Sequence, residues 1–324
     1  MSLDAQSRSF VDMIANNPKP GWEVLGVAEA RKSFGLLQEF FGTLDHSVRV
    51  VDGRMEVENR QPRSVAYRSY LPDDLDMQAK GPLIVFLHGG GWVLGDVETH
   101  HPLCTQIAAT TGQCLVSIDY PRAPECQYPI TPILCAQIVP KLLRNAVGLP
   151  GPFSSCVVVG DSAGGHLAVD VADRLSRDES VHVSGCLPIY PVVRNDFTTL
   201  SYRQCGEGHG LTKAAMKWFW THYLGDQALV DGSVQPPGFT HDLLSRDYRR
   251  FPRTHVVTAG YDVLRDEGVA LVEVLAKDGV HVTSQHYPSV LHGFIHMSSL
   301  FDQGREAIDE LCDVLKSMRD TRQA

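Results

Sequence analysis

A serine held between two glycines, Gly160-Asp161-Ser162-Ala163-Gly164, is the best-placed nucleophile of this chain. A short run rich in β-branched residues, Cys156-Val157-Val158-Val159, leads into it, and a helical pattern opens at His166-Leu167-Ala168. A strand–turn–helix of this kind lifts a serine hydroxyl above the edge of a sheet. Glycine is expected on both flanks because the turn leaves no room for a Cβ, and the following helix directs its positive N-terminal end at the same point. Acyl transfer at such a serine needs a base to take its proton, an acid to hold that base, and donors for the oxyanion. Acid and base are expected in that order after the serine. Asp262 lies just past the strand-like run His255–Ala259, and His292 just past Val280–Tyr287. The run Gly89-Gly90-Gly91 after His88, with the amide of Ala163 behind the serine, supplies candidate oxyanion donors.

The elements that would position these residues alternate. Leu83–His88, Cys114–Asp119, residues 156–160, Val183–Tyr190, His255–Ala259 and Val280–Tyr287 read as strands. Helical patterns fall near 98–111 and 131–146, after Ser162 and ending before Arg174–Asp178, and near 265–278 and 303–317. This alternation predicts an α/β fold, a mostly parallel sheet with helices on both faces. Residues 47–71 predict an antiparallel strand pair at its edge. Residues 1–45 carry amphipathic helices: Phe10, Met13 and Ile14 fall at i, i+3 and i+4, and Leu36, Leu37, Phe40 and Phe41 repeat the theme. Residues 196–250 interrupt the alternation with an aromatic helix, Met216–Tyr223, and a loop-rich stretch around Gly232–Gly238. The predicted organisation is therefore a helical cap from 1–45 and 196–250 over a catalytic domain of 46–195 and 251–324.

Composition narrows the function classes. The formal charge of −9 excludes the clustered basic face of a nucleic-acid binder. No apolar segment is long enough to span a bilayer, and Met1–Phe10 lacks the apolar region of a secretion signal. A cytoplasmic location with no membrane partner is expected. The eight cysteines are scattered and form no metal-binding spacing, so buried thiols are expected. Adjacent His100 and His101 do not share a helix face and have no carboxylate at ligand spacing, so no metal is expected.

Four blocks, His88-Gly89-Gly90-Gly91-Trp92, Gly160-Asp161-Ser162-Ala163-Gly164-Gly165, Asp262 to Gly268 and His292-Gly293-Phe294, resemble those of the hormone-sensitive-lipase-like esterases, the bacterial family IV group. The resemblance runs from about residue 65 to the C-terminus. It implies an α/β-hydrolase fold with a helical cap. By motif position it makes Ser162 the nucleophile, Asp262 the acid and His292 the base, with Gly89, Gly90, Gly91 and Ala163 around the oxyanion. It implies a serine carboxylesterase for small, short-acyl esters that needs no cofactor, and it brings a homodimer through an edge strand as an expectation. Two positions depart from the family pattern. Pro121 occupies an arginine slot and is followed by Arg122, and Val263 replaces the proline after the acid.

Other residues admit plainer roles. Asp266 or Glu267 is an alternative acid, with Asp262 then a helix cap. His88 is expected to shape the glycine loop, His166 to be structural, Trp218-Phe219-Trp220 to pack in the core, and Trp92 to support the loop. The same serine, base and acid would serve an amidase or deacetylase, and a receptor of this fold would lack the histidine that His292 supplies.

Overall fold

The computed structural model describes residues 2–57, 63–76, 81–178, 181–225 and 240–319. Among these, eight strands form one sheet: β1 (Val48–Val57), β2 (Arg63–Pro72), β3 (Leu83–Leu87), β4 (Leu115–Asp119), β5 (Ser155–Asp161), β6 (His182–Ile189), β7 (Thr254–Tyr261) and β8 (Val282–Leu291). Their order is β1-β2-β4-β3-β5-β6-β7-β8. The edge pair β1–β2 is antiparallel and the sheet mostly parallel, as the sequence predicts; β2 also pairs antiparallel with β4. β3 and β5 are buried at every residue, the pattern of strands covered on both faces.

The helices are α1 (Ala5–Asn16), α2 (Val27–Gly35), α3 (His101–Thr111), α4 (Ile130–Asn145), α5 (Ala163–Arg177), α6 (Leu200–Cys205), α7 (Lys213–Leu224), α8 (Arg265–Lys277) and α9 (Asp302–Ser317). Alternate strand residues feed two cores. Leu83, Val85 and Val158 pack with α4, α5 and α8 through residues such as Ile138, Leu167 and Leu271. Ile84, Phe86 and Val159 pack with α3 and α9 through Ile107 and Leu311.

Three expectations are corrected. α5 runs through Arg177 instead of stopping before Arg174. Arg174 pairs with Asp170, and Arg177 with Asp173 at 2.8 Å, each four residues back along the helix, so these charges extend it. The apolar stripe of α1 is only partly used: Phe10 meets Phe301 edge-on at 5.7 Å, while Met13 and Ile14 are 40% and 39% exposed. The chain there is anchored at its start, where the Asp4 N–H donates to Ser289 O at 3.1 Å. Leu36–Phe40 forms a short 3-10 turn with Leu36 exposed, and only Phe41 turns inward.

α2 docks through Arg31, which donates to Val93 O and Ala123 O at 2.9 Å and pairs with Glu125 at 2.7 Å. α7 packs on the turn Trp22–Val24. The Gly/Pro stretch around Gly232–Gly238 lies outside the described residues. All eight cysteines are buried thiols. Among the described residues no helix is long and apolar enough to cross a membrane, and no cluster of three His, Cys, Asp or Glu side chains could hold a metal.

Candidate active site

Ser162 stands between β5 and α5 with φ +55° and ψ −118°, a conformation rare outside glycine that costs on the order of 1–3 kcal/mol. Its surroundings fix it there. The Ser162 N–H donates to Ile189 O at 2.8 Å, and Ser162 O accepts from His166 N and Val192 N, both at 3.1 Å. The flanking glycines answer to close backbone approach. A Cβ on Gly160 would sit 2.2 Å from Gly164 O, and one on Gly164 would sit 2.0 Å from Leu87 O.

The other partners arrive from the same sheet edge. β7 and β8 run side by side, and the pairing Tyr261↔Leu291 places Asp262 and His292 next to each other just past both strands. The Ser162 hydroxyl lies 3.0 Å from His292 Nε2, and His292 Nδ1 lies 2.7 Å from Asp262 Oδ2. Asp262 is buried, and its Oδ1 accepts the Leu264 N–H at 2.9 Å, so one carboxylate oxygen is left for the imidazole. A proton on His292 Nδ1 would donate to Asp262 Oδ2 and leave Nε2 to accept the serine O–H. The Tyr190 ring, 4.7 Å from that of His292, closes one side.

Asp266 and Glu267 are brought elsewhere. Asp266 accepts the Ser201 N–H at 2.7 Å and pairs with Arg265. Glu267 accepts the N–H groups of Val193 and Arg194 at 2.8 and 3.0 Å. Burial raises the Glu267 carboxyl to about 8, against the hydrogen bonds that lower it.

The glycine loop follows β3 and lies beside the serine because β3 pairs with β5. Tyr120 O–H donates to His88 O at 2.6 Å, and His88 Nδ1–H donates to Gly89 O at 2.8 Å, so His88 does shape the loop. Gly89 departs from its expected place among the oxyanion donors, because its N–H donates to the buried Asp161 Oδ1 at 2.8 Å. The N–H groups of Gly90, Gly91 and Ala163 have no hydrogen-bond partner among the described residues. Gly91 has φ +61°, and a Cβ there would lie 2.1 Å from Phe219 Cδ1, so the α7 phenyl ring rests on the bare Gly91 backbone.

Trp92 supports the loop as expected. Its indole, at φ +61°, stacks on Tyr223 of α7 at 4.1 Å and 2°. His166 is structural: its Nε2–H donates to His241 O at 3.0 Å. Of the aromatic run, Phe219 and Trp220 are buried and Trp218 is half-buried against His222. Arg122, next to Pro121, donates to Gly95 O and lies 3.9 Å from Asp96. Sequence reasoning missed two residues that hold this loop, Asp161 and Arg31. For Asp161 the available signal was a charged residue inside a run of small and apolar ones, since a buried carboxylate must find partners.

Comparison with known proteins points to the same fold. A family profile for the alpha/beta hydrolase fold matches residues 84–296. The ethyl acetate hydrolase of Pseudomonas putida is 26% identical over 322 residues, covering 98% of this chain and 99% of its own. The carboxylic ester hydrolase LipN of Mycobacterium tuberculosis is 34% identical over 246 residues, covering 73% of this chain and 63% of its own. Among solved structures, a thermostable esterase from Pseudomonas putida superposes with a TM-score of 0.89 at 25% identity, covering 99% of both chains. The hyperthermophilic esterase of Pyrobaculum calidifontis gives 0.84 at 30% identity, covering 98% of this chain and 99% of its own. Motifs, sheet order and relatives converge, and the chain belongs to the hormone-sensitive-lipase-like, family IV, group of α/β-hydrolase esterases.

Proposed function

We propose that this carboxylic ester hydrolase acts on small, short-acyl esters through Ser162, His292 and Asp262 and an acyl-enzyme. The observation that carries the reading is the unbroken chain from Ser162 Oγ through His292 to the buried Asp262 at 3.0 and 2.7 Å. His292 accepts the serine proton as Oγ attacks the ester carbonyl, and Asp262 stabilises the imidazolium that forms. The developing oxyanion is met by the N–H groups of Gly90, Gly91 and Ala163. The imidazolium then protonates the leaving alcohol. Water, activated by His292, attacks the acyl group and frees Ser162.

Residues 1–45 and 196–250 are read as a cap over this site. Phe219 on α7, buried against the oxyanion loop, supports a confined acyl pocket. A relative named for ethyl acetate hydrolysis is consistent with that size. Ser162→Ala is expected to keep the melting temperature within a few degrees and to lower kcat by roughly 10⁴-fold or more. Initial rates on p-nitrophenyl esters from acetate to palmitate, with a matched anilide, test the substrate class. Rates should peak at short acyl chains and the anilide should be cut poorly. Retained turnover in Ser162→Ala would remove the assigned nucleophile, and preference for palmitate or for the anilide would remove the substrate assignment.

A further inference from the structure

Five rings form a column behind the glycine loop. Tyr120 stacks on His88 at 4.1 Å, His88 faces His100 at 5.5 Å, His100 stacks on His296 at 4.1 Å, and Phe41 covers His296 at 3.8 Å. All five are buried. Burial, reinforced by His100, pushes His88 and His296 down to about 3, so both are neutral near pH 7. Their protons are committed to carbonyls, His88 Nδ1–H to Gly89 O and His296 Nε2–H to Thr99 O, both at 2.8 Å.

His100 is different, because it reaches a carboxylate. Its Nε2 lies 3.3 Å from Asp161 Oδ1, and its Nδ1 lies 3.0 Å from the Thr99 hydroxyl. Asp161 is the residue before the nucleophile and is 4% exposed. The Gly89 N–H is 2.8 Å from Asp161 Oδ1 and 3.3 Å from His100 Nε2, so amide, carboxylate and imidazole close a triangle. The carboxylate, the stronger acceptor, takes the amide proton, and His100 Nε2–H donates to the same oxygen. Burial opposes the charge on Asp161, but the contacts with His100 and the Gly89 N–H outweigh it and hold the carboxyl at about 2.

We propose that Asp161 and His100 form a positioning pair that fixes the Gly89 peptide and thereby aims the N–H groups of Gly90 and Gly91 at the oxyanion. The proposal rests on the reading of Ser162 given above. Three consecutive glycines are loose unless held, and an oxyanion hole works only when its donors are set before charge develops. Trp92, stacked on Tyr223, holds the far end of the loop; Asp161 holds the near end.

His100→Phe keeps a ring in the column and removes the donor, whereas His100→Gln removes the ring and keeps an N–H at about the reach of Nε2. Each variant is assayed with the best p-nitrophenyl ester for kcat and KM, and with a trifluoromethyl ketone, whose serine adduct carries the oxyanion. His100→Phe is expected to lower kcat about 10- to 100-fold with KM nearly unchanged, and to weaken the ketone by the same factor. His100→Gln should stay within about threefold of the parent in both. Should His100→Phe not fold, His100→Asn, whose shorter amide falls short of Asp161, takes its place with the same expectation. Equal activity in Phe and Gln variants, or loss in Gln with retention in Phe, would show that the ring packs and does not position. A fall in kcat with ketone affinity unchanged would also overturn the proposal. Labelling of the parent by a fluorophosphonate, located by mass spectrometry, separates the two levels. A parent unlabelled at Ser162 loses the underlying reading, and the positioning pair with it. A labelled parent with indifferent variants loses the positioning pair alone.

Discussion

At the residue scale, the site is assembled from positions that a free chain would avoid. Ser162 and Trp92 are non-glycine residues at positive φ, and Asp161 and Asp262 are buried carboxyls, as is Glu267 outside the site. The last has a consequence for stability. Glu267 ionises near 4.5 in an unfolded chain but only at about 8 when folded, because burial disfavours its charge. Between these values the unfolded state has released the proton that the folded state keeps, so its contribution to stability falls as pH rises, by about 1.4 kcal/mol per unit. Glu267→Gln stays neutral throughout and can still accept the two N–H groups. Urea unfolding at pH 5 and pH 8 should show a shallower decline in the variant than in the parent. Equal slopes would place the Glu267 proton elsewhere.

At the scale of elements, α7 packs directly on the glycine loop. Its Phe219 lies on Gly91 and its Tyr223 stacks flat on Trp92, so one helix contacts two successive residues of the glycine loop. Tyr223→Ala should cost about 3–5 kcal/mol by opening a cavity in a fully buried stack. It should also lower kcat as the loop loosens. Tyr223→Phe keeps the ring and should leave both close to the parent. Urea unfolding and esterase rates on the pair check this, and a Phe variant as damaged as the Ala variant would show that the hydroxyl, not the stack, matters. The aromatic helix of 216–223 was legible in the sequence. Its role was not, because consecutive aromatics point in different directions and only packing decides which one meets the loop.

At the scale of the molecule, the segment ahead of β7 is fastened by charge. Arg246, its side chain 3% exposed, reaches Asp170 and lies 3.3 Å from Asp173, two acids on α5 that also pair with Arg174 and Arg177. The same helix opens just after Ser162, so the segment ahead of β7 is tied to the helix that follows the candidate serine. Arg246→Met would leave two buried carboxylates undercompensated and should cost about 3–5 kcal/mol in denaturant unfolding. Adding Asp170→Asn should recover part of that loss. A single variant as stable as the parent would show that solvent already compensates these acids.

The sequence by itself determined the order of strands and helices, the elbow, and the positions past β7 and β8 where Asp262 and His292 stand. These follow from hydrophobic periodicity, from glycines where backbone approaches backbone, and from the fixed sense of parallel strands, all local properties of the chain. The extent of α5 past Arg174 differs from the expectation because the stabilising pairs lie across turns of the helix and out to Arg246, 73 residues from Asp173 and 76 from Asp170. Only the tertiary structure decided that the Gly89 amide turns to Asp161, that His100 stands against that carboxylate, and that Phe219 rather than Trp218 rests on Gly91. These are contacts between segments far apart in sequence, set by which groups burial forces to find a partner. No spacing along the chain records them.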